Sequence, residues 1–207
     1  MSTIFLLLIL LSAIWGSSFF AIKISVENFN PVSIASGRLI IAAFILFSYF
    51  KIKKLTFDAD KKTILIIILI GFLGNFLPFF LISWSEQYIQ SNTTGLLMSV
   101  GPIFALILSH YMTKDDKFSY KKLFSIIVGL IGVMFIIGSN SFKGIFSNNY
   151  FLLIPKLTII LAVLGYVISS IFAYNLKNIN IITLTTFVTI SAAIISIPFM
   201  LVVEFHN

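Results

Sequence analysis

Cysteine is missing from this 207-residue chain, histidine occurs twice, and only 10% of the residues carry a charge, seven of them acidic. Without cysteine there is no disulfide framework, no thiolate metal site and no thiol nucleophile, and two histidines alone do not hold a zinc ion. There is no glycine-rich phosphate loop, no cluster of metal-ligand residues, no paired carboxylates in an apolar stretch and no serine–histidine arrangement. A serine nucleophile at Ser18 or Ser169 would need a base at the same depth, and Lys23 is the only candidate near either. These absences argue against an enzyme, and neither cofactor nor metal is expected.

What is abundant fixes the class. Hydrophobic residues make up 59% of the chain and the mean hydropathy is +1.09, which leaves too little polar surface for a water-soluble domain. The composition predicts an all-α polytopic membrane protein whose first partner is the lipid bilayer. Seven apolar stretches near the roughly 20 residues needed to cross a bilayer follow one another: Thr3–Ile22, Val32–Phe50, Ile64–Ser83, Thr93–Met112, Leu123–Gly138, Phe151–Tyr174 and Ile181–Val203. The first has no Lys or Arg before it, so it is read as a retained span and not as a cleaved signal peptide.

Lysine distribution predicts the orientation. Lys51, Lys53, Lys54, Lys61, Lys62, Lys114, Lys117, Lys121, Lys122 and Lys177 fall in loops on one side, against Lys23 and Lys143 on the other. Basic residues are retained in the cytoplasm, so the amino terminus is placed there and Glu204-Phe205-His206-Asn207 outside. The net charge of +7 is then a topological signature, compatible with anionic lipid headgroups, and no nucleic-acid partner is implied.

Trp15-Gly16-Ser17-Ser18-Phe19-Phe20-Ala21 places small and hydroxyl residues inside the first span, and Ser169-Ser170-Ile171-Phe172-Ala173 partly echoes it 152 positions later. Such groups in hydrocarbon pack closely on another helix or line a polar cavity. The copies fall in spans one and six. An odd separation inverts the second copy, the symmetry by which transporters open one central site to either face.

Other polar residues within the spans each carry a choice. Arg38, roughly 9 Å into span two by helical rise, either faces a cavity, pairing with an anionic solute group or with Glu86, or snorkels as an anchor. Lys156 reads as an interfacial anchor. Glu86 and Gln87 end span three beside Trp84 and Tyr88; Glu86 is either a proton-coupling group or a solvated helix end, and the second is favoured because exposure avoids a burial cost. Asn75, in Gly71-x-x-Gly74-Asn75-x-x-Pro78, bonds a neighbouring helix or faces the cavity, with a bend expected at Pro78. Pro102 should weaken the ladder of span four, and Gly129 and Gly132 read as close packing of span five. His110 reads as interfacial, and Asp116 with Ser119 as the start of the fifth helix.

Taken in order, Trp15-Gly16-Ser17-Ser18-Phe19 with Ala21 and Lys23, Pro31 followed by Arg38, Trp84-x-Glu86-Gln87-Tyr88-Ile89, Pro102 fourteen residues after Tyr88, Asp116-Lys117-Phe118-Ser119 and Gly129-x-x-Gly132-Val133 resemble the drug/metabolite transporter superfamily, and within it the EamA-type transporters. Where this chain has Asp116-Lys117-Phe118-Ser119, the family pattern usually has Glu-Arg-Leu-Thr. The motifs cover residues 12 to 138, and spans six and seven continue them faintly.

The resemblance implies ten helices in two inverted five-helix repeats that carry small organic solutes across the cytoplasmic membrane. On that plan residues 1–138 are the first repeat, 139–150 an outer loop and 151–207 two helices of the second repeat. About three further spans of roughly 20 residues would follow in the family, so a fragment or a shortened gene product is expected. The function expected is secondary transport, as an exporter, of a small organic metabolite or amino acid by alternating access. A non-transporting membrane subunit or scaffold is the alternative. Trp15, Ser17, Ser18, Arg38, Asn75, Trp84, Glu86, Gln87, Ser169 and Ser170 are the expected solute-binding residues, with Pro102, Asp116, Gly129 and Gly132 structural. A proton or counter-solute is the expected coupled species, and a homo-oligomer is one way to complete the cavity wall.

Overall fold

The computed structural model describes residues 3–137 and 150–204, and these are helical with no strand among them. The helices are α1 (Thr3–Ser25), α2 (Pro31–Ile52), α3 (Lys61–Gly71), α4 (Leu77–Glu86), α5 (Ser91–Met98), α6 (Gly101–Met112), α7 (Tyr120–Ile137), α8 (Leu153–Asn175) and α9 (Ile181–Glu204). Six rods are long and apolar enough to cross a membrane, with α3–α4 and α5–α6 each counting as one. Helix α7 is the seventh, 18 residues long with Lys121 and Lys122 in its first turn. Gly138, Lys143, the loop expected at 139–150 apart from its last residue, and Phe205-His206-Asn207 lie outside the described residues.

Local chemistry sets the helix ends. The Asn30 side chain accepts from the Val32 N–H at 3.1 Å while Pro31 occupies the first helical position of α2, where its missing donor costs nothing. Asp60 caps α3 by accepting from the Thr63 N–H at 3.1 Å, and hydrogen bonds from the Thr63 side chain and backbone hold its carboxyl below the ordinary value. Asn180 accepts from the Ile182 N–H at 3.0 Å, as Asn30 does from Val32. The two turns share a pattern, Asn28-Phe29-Asn30-Pro31-Val32-Ser33 and Asn178-Ile179-Asn180-Ile181-Ile182-Thr183, a second echo 150 positions apart that the serine pairs alone did not reveal.

The helices that follow these turns, α2 and α9, pack along each other in opposite directions. Ser36 donates to the Ser196 carbonyl at 3.3 Å near one end, and the Phe50 and Phe187 rings meet edge to face at 5.4 Å near the other. The echoed turns therefore sit at opposite ends of the bundle, one at the lysine-poor end and one at the lysine-rich end.

The α3–α4 rod runs through the middle and touches both α8 and α9. Three apolar clusters lie along it: Ile67 and Ile70 with Leu184 and Val188, Phe76 with Leu39 and Ala192, and Leu81 and Ile82 with Ile22, Ile159 and Ala162. Since lipid tails are as apolar as these side chains, burial from water does not drive the association, and close van der Waals approach does. Small residues make that approach possible. A Cβ on Gly74 would lie 2.6 Å from the Ser169 Cβ, one on Gly165 would lie 2.5 Å from the Leu73 carbonyl oxygen, and one on Gly71 would lie 2.7 Å from the Val188 carbonyl oxygen.

Between α3 and α4 the rod widens into a π-helical turn over Phe72–Phe76, with the Leu77 N–H bonding the Phe72 carbonyl. The bend expected at Pro78 is resolved by this turn: proline has no N–H to return to the preceding turn, and the extra residue absorbs the mismatch. The fourth span is broken at Ser99–Val100, so Pro102 falls at the start of α6, where it breaks no helical bond.

Two packing expectations are corrected. A Cβ on Gly129 or Gly132 meets nothing within 4 Å, because α7 turns Leu123, Ile126, Leu130 and Val133 toward the bundle and leaves both glycines on its exposed side. Lys156 is buried, 8% exposed, beside buried Pro155 in the first turn of α8, and is not a free interfacial anchor.

Gly165→Val is expected to cost about 1–3 kcal/mol by overpacking against the Leu73 carbonyl, read as a lowered unfolding midpoint in detergent. Gly16→Val, where nothing lies within 4 Å, should leave the midpoint unchanged. Equal effects at the two positions would contradict the close approach.

Candidate functional site

The close approach holds α8 against α4 but leaves a gap beside the π-turn. The gap is a cavity of about 860 Å³ bounded by α1, α2, the α3–α4 rod, the end of α5, α6 and α8. Its volume suits a small organic solute. Each wall has a local cause. In α1 the exposed Ser17 bonds back to the Ile14 carbonyl at 3.1 Å, while Ser18, Phe19 and Ile22 turn inward and the largely exposed Trp15 borders the cavity at its edge. On α2, Ala35, Ser36 and Leu39 are buried, which puts Arg38 on the flank facing α1 and α4.

Among the described residues, Arg38 is the only charged one lining the cavity. Its Nη2 donates to Ser18 Oγ at 3.1 Å, and its guanidinium carbon sits 4.4 Å from the centre of the Phe79 ring. A guanidinium over a ring face gains about 0.5–2 kcal/mol. Asn75 enters from the π-turn, and its side chain has no hydrogen-bond partner among the described residues. From α8, Tyr166 and Ser170 line the cavity, and Ser169 reaches it beside Gly74. Both serine hydroxyls satisfy themselves on their own helix, Ser169 on the Tyr166 carbonyl at 2.9 Å and Ser170 on the Val167 carbonyl at 2.8 Å. Each keeps lone pairs for a guest.

Of the residues expected to bind solute, the structure gathers Trp15, Ser18, Arg38, Asn75, Ser169 and Ser170 around one cavity, and Pro102 lines it as well. It leaves out Ser17, Trp84, Glu86 and Gln87. Gln87 is exposed, and Trp84 pairs with Tyr88 at 5.0 Å between ring centres. Phe79 and Tyr166 were not anticipated. Phe79 is one of 23 phenylalanines and carries no local mark, whereas Tyr166 stands three positions before Ser169 and four before Ser170, close to them on the helix surface.

Glu86 is the main correction. It was expected to be a solvated helix end, yet it is 0% exposed. The turn at Gln87–Gln90 folds α5 back across the end of α4, burying Thr93 and Thr94 beside it. Neither carboxyl oxygen has a hydrogen-bond partner among the described residues. Lys23 aims elsewhere: its ammonium donates to the backbone carbonyls of Glu86 and of Ile89, the latter at 3.1 Å. The first ends α4 and the second lies in the turn that follows, so neither is bonded within a helix. Lys23 thereby ties the end of α1 to the end of α4 and the turn after it.

At the other end, Asp116 pairs with Lys122, which holds its carboxyl below the ordinary value. His110 Nδ1 accepts from the Phe118 N–H at 3.2 Å, and Lys117 donates to the carbonyls of His110 and Thr113. These contacts pin the loop between α6 and α7, and Asp116 acts there as a loop clasp far from the cavity.

Residues 2–138 match the EamA-like transporter family. The chain is 24% identical over 198 residues to the uncharacterized transporter YoaV of Bacillus subtilis, covering 95% of this chain and 66% of that protein. It is 31% identical over 194 residues to the uncharacterized transporter YetK of the same organism, covering 91% of this chain and 57% of YetK. It is 22% identical over 205 residues to the S-adenosylmethionine/S-adenosylhomocysteine transporter of Chlamydia muridarum, covering 97% of this chain and 64% of that protein. This chain thus spans about two thirds or less of these relatives' length. No solved structure matches it. With its all-helical membrane fold and the family match over most of its length, the chain belongs to the EamA-like transporter family of the drug/metabolite transporter superfamily.

Proposed function

We propose that this chain forms the solute path of a secondary transporter that exports a small organic metabolite or amino acid across the cytoplasmic membrane by alternating access. One observation carries the reading: a single cavity draws Ser18 from one serine pair and Ser169 and Ser170 from its echo. A site shared by two oppositely oriented halves is what rocking of one half against the other needs in order to face either side. Similarity to a protein named for carrying S-adenosylmethionine supports an organic metabolite as the cargo. The coupled species is a proton or a counter-solute. Glu86, a buried carboxyl one turn beyond the cavity wall at Ile82, is the group suited to exchange a proton with it, since an unpartnered carboxyl in hydrocarbon demands a proton, a cation or water. The lysine-rich loops face the cytoplasm and the Glu86 end faces outward.

Vesicles holding the chain and loaded with S-adenosylmethionine or a mixture of amino acids are expected to show saturable counterflow above empty vesicles. Absence of saturable flux for every solute tried would sink the transporter reading. Orientation has its own test, made simple by the lack of native cysteine. Asn28→Cys should react with a membrane-impermeant maleimide added to intact cells, and Lys54→Cys only after the membrane is opened. The reverse pattern would invert the topology.

A further inference from the structure

We infer that the solute taken by this cavity is an organic oxyanion: a carboxylate or phosphate attached to a flat or apolar body. The inference rests on the cavity being the solute path and adds the charge of the cargo.

A guanidinium presents five N–H donors in a rigid fork and stays charged in proteins. Among the described residues Arg38 makes one hydrogen bond, to the neutral hydroxyl of Ser18. Phe79 covers one face of the guanidinium. No carboxylate among the described residues pairs with it, the only ion pair there being Lys122–Asp116. Glu86, its nearest acidic neighbour in electrostatic terms, bonds nothing through either carboxyl oxygen. A positive charge set into a membrane span without a counter-ion is costly, and among the described residues no acidic one lines the cavity to offset it.

An oxyanion meets what the fork lacks. Two oxygens accept two parallel N–H donors, the geometry that makes guanidinium the preferred partner of carboxylate and phosphate. Around that point the remaining polar groups are neutral: the Asn75 amide, the Tyr166 phenol and the Ser18, Ser169 and Ser170 hydroxyls. They bond the polar atoms of a guest without selecting a charge. The rings of Trp15, Phe19, Phe79 and Tyr166 supply apolar walls, so a small inorganic anion would leave most of the cavity unfilled, whereas an aryl or nucleoside body would be packed on its faces. A cationic solute would face Arg38 with no acid in the lining to receive it.

The chain has two tryptophans, Trp15 in the cavity wall and Trp84 outside it. In a Trp84→Phe background, the emission of Trp15 reports occupancy. Four probes of one size are titrated into the full chain in nanodiscs: phenylacetate, phenyl phosphate, phenylacetamide and 2-phenylethylamine. The two anions are expected to bind saturably and at least tenfold more tightly than the neutral amide or the amine. Whichever anion is tighter identifies the carboxylate or the phosphate as the natural group. Arg38→Gln should weaken the anions at least tenfold and leave the amide unchanged, and Arg38→Lys should fall between. Equal binding of amide or amine by the unsubstituted site, retention of anion affinity in Arg38→Gln, or no binding of either anion would overturn the inference. If Arg38→Gln does not fold, the charge series on the unsubstituted site still decides. Anion binding without vesicle flux would sink the transport reading and keep the oxyanion site; flux of neutral or cationic solutes without anion binding would do the opposite.

Discussion

The structure depends on how closely the α3–α4 rod approaches α8. In a bilayer the helices gain little by hiding apolar side chains from one another, so the contact must come from backbones that nearly touch. Gly74 against Ser169, and Gly165 against the Leu73 carbonyl, leave no space for a Cβ. The hydroxyl that meets Gly74 belongs to the second serine pair. The same small residues that permit the clasp therefore also set the floor of the cavity. The π-turn over Phe72–Phe76 lies at this contact and turns Asn75 into the cavity. A wider turn at a functional surface is the usual place for such an irregularity.

Much of this was legible in the sequence, and the reasons differ by element. Span lengths and their number follow from apolar runs and a bilayer of fixed thickness. The odd number of spans between Ser17-Ser18 and Ser169-Ser170 is what suggests an inverted relation between them, and that relation belongs to the proposal. The Asn-x-Asn turns at Asn28–Asn30 and Asn178–Asn180, each capping the next helix, share that spacing and lie at opposite ends of the bundle. What stayed hidden was directional. Gly129 and Gly132 look like a packing motif, but spacing says only that they share a side of α7, and that side is exposed. Glu86 looked like a solvated helix end because nothing in its own segment shows that α5 folds back over it. Ser17 and Ser18 are adjacent and so must point apart, which is why one lines the cavity and the other bonds its own helix.

Charge is distributed to match. Lysines crowd the loops at one end, and Lys23 neutralises the carbonyl end of α4 at the other. Between them only Arg38 reaches the cavity. Its contacts, a hydroxyl and a ring face, hold the guanidinium in place without cancelling its charge. A buried carboxyl at Glu86, one turn beyond Ile82, lies near the lysine-poor end of the cavity.

The central proposal is that the cavity shared by Ser18, Ser169 and Ser170 is a water-filled path for solute. Cysteine substitution tests it most directly in this cysteine-free chain. Ser170→Cys, in the wall contributed by α8, should react with a hydrophilic maleimide, and its modification should abolish flux. Phe44→Cys, on the 74% exposed outer side of α2, should stay unreactive in the lipid. An inert Ser170→Cys, or one whose modification leaves flux untouched, would contradict the account.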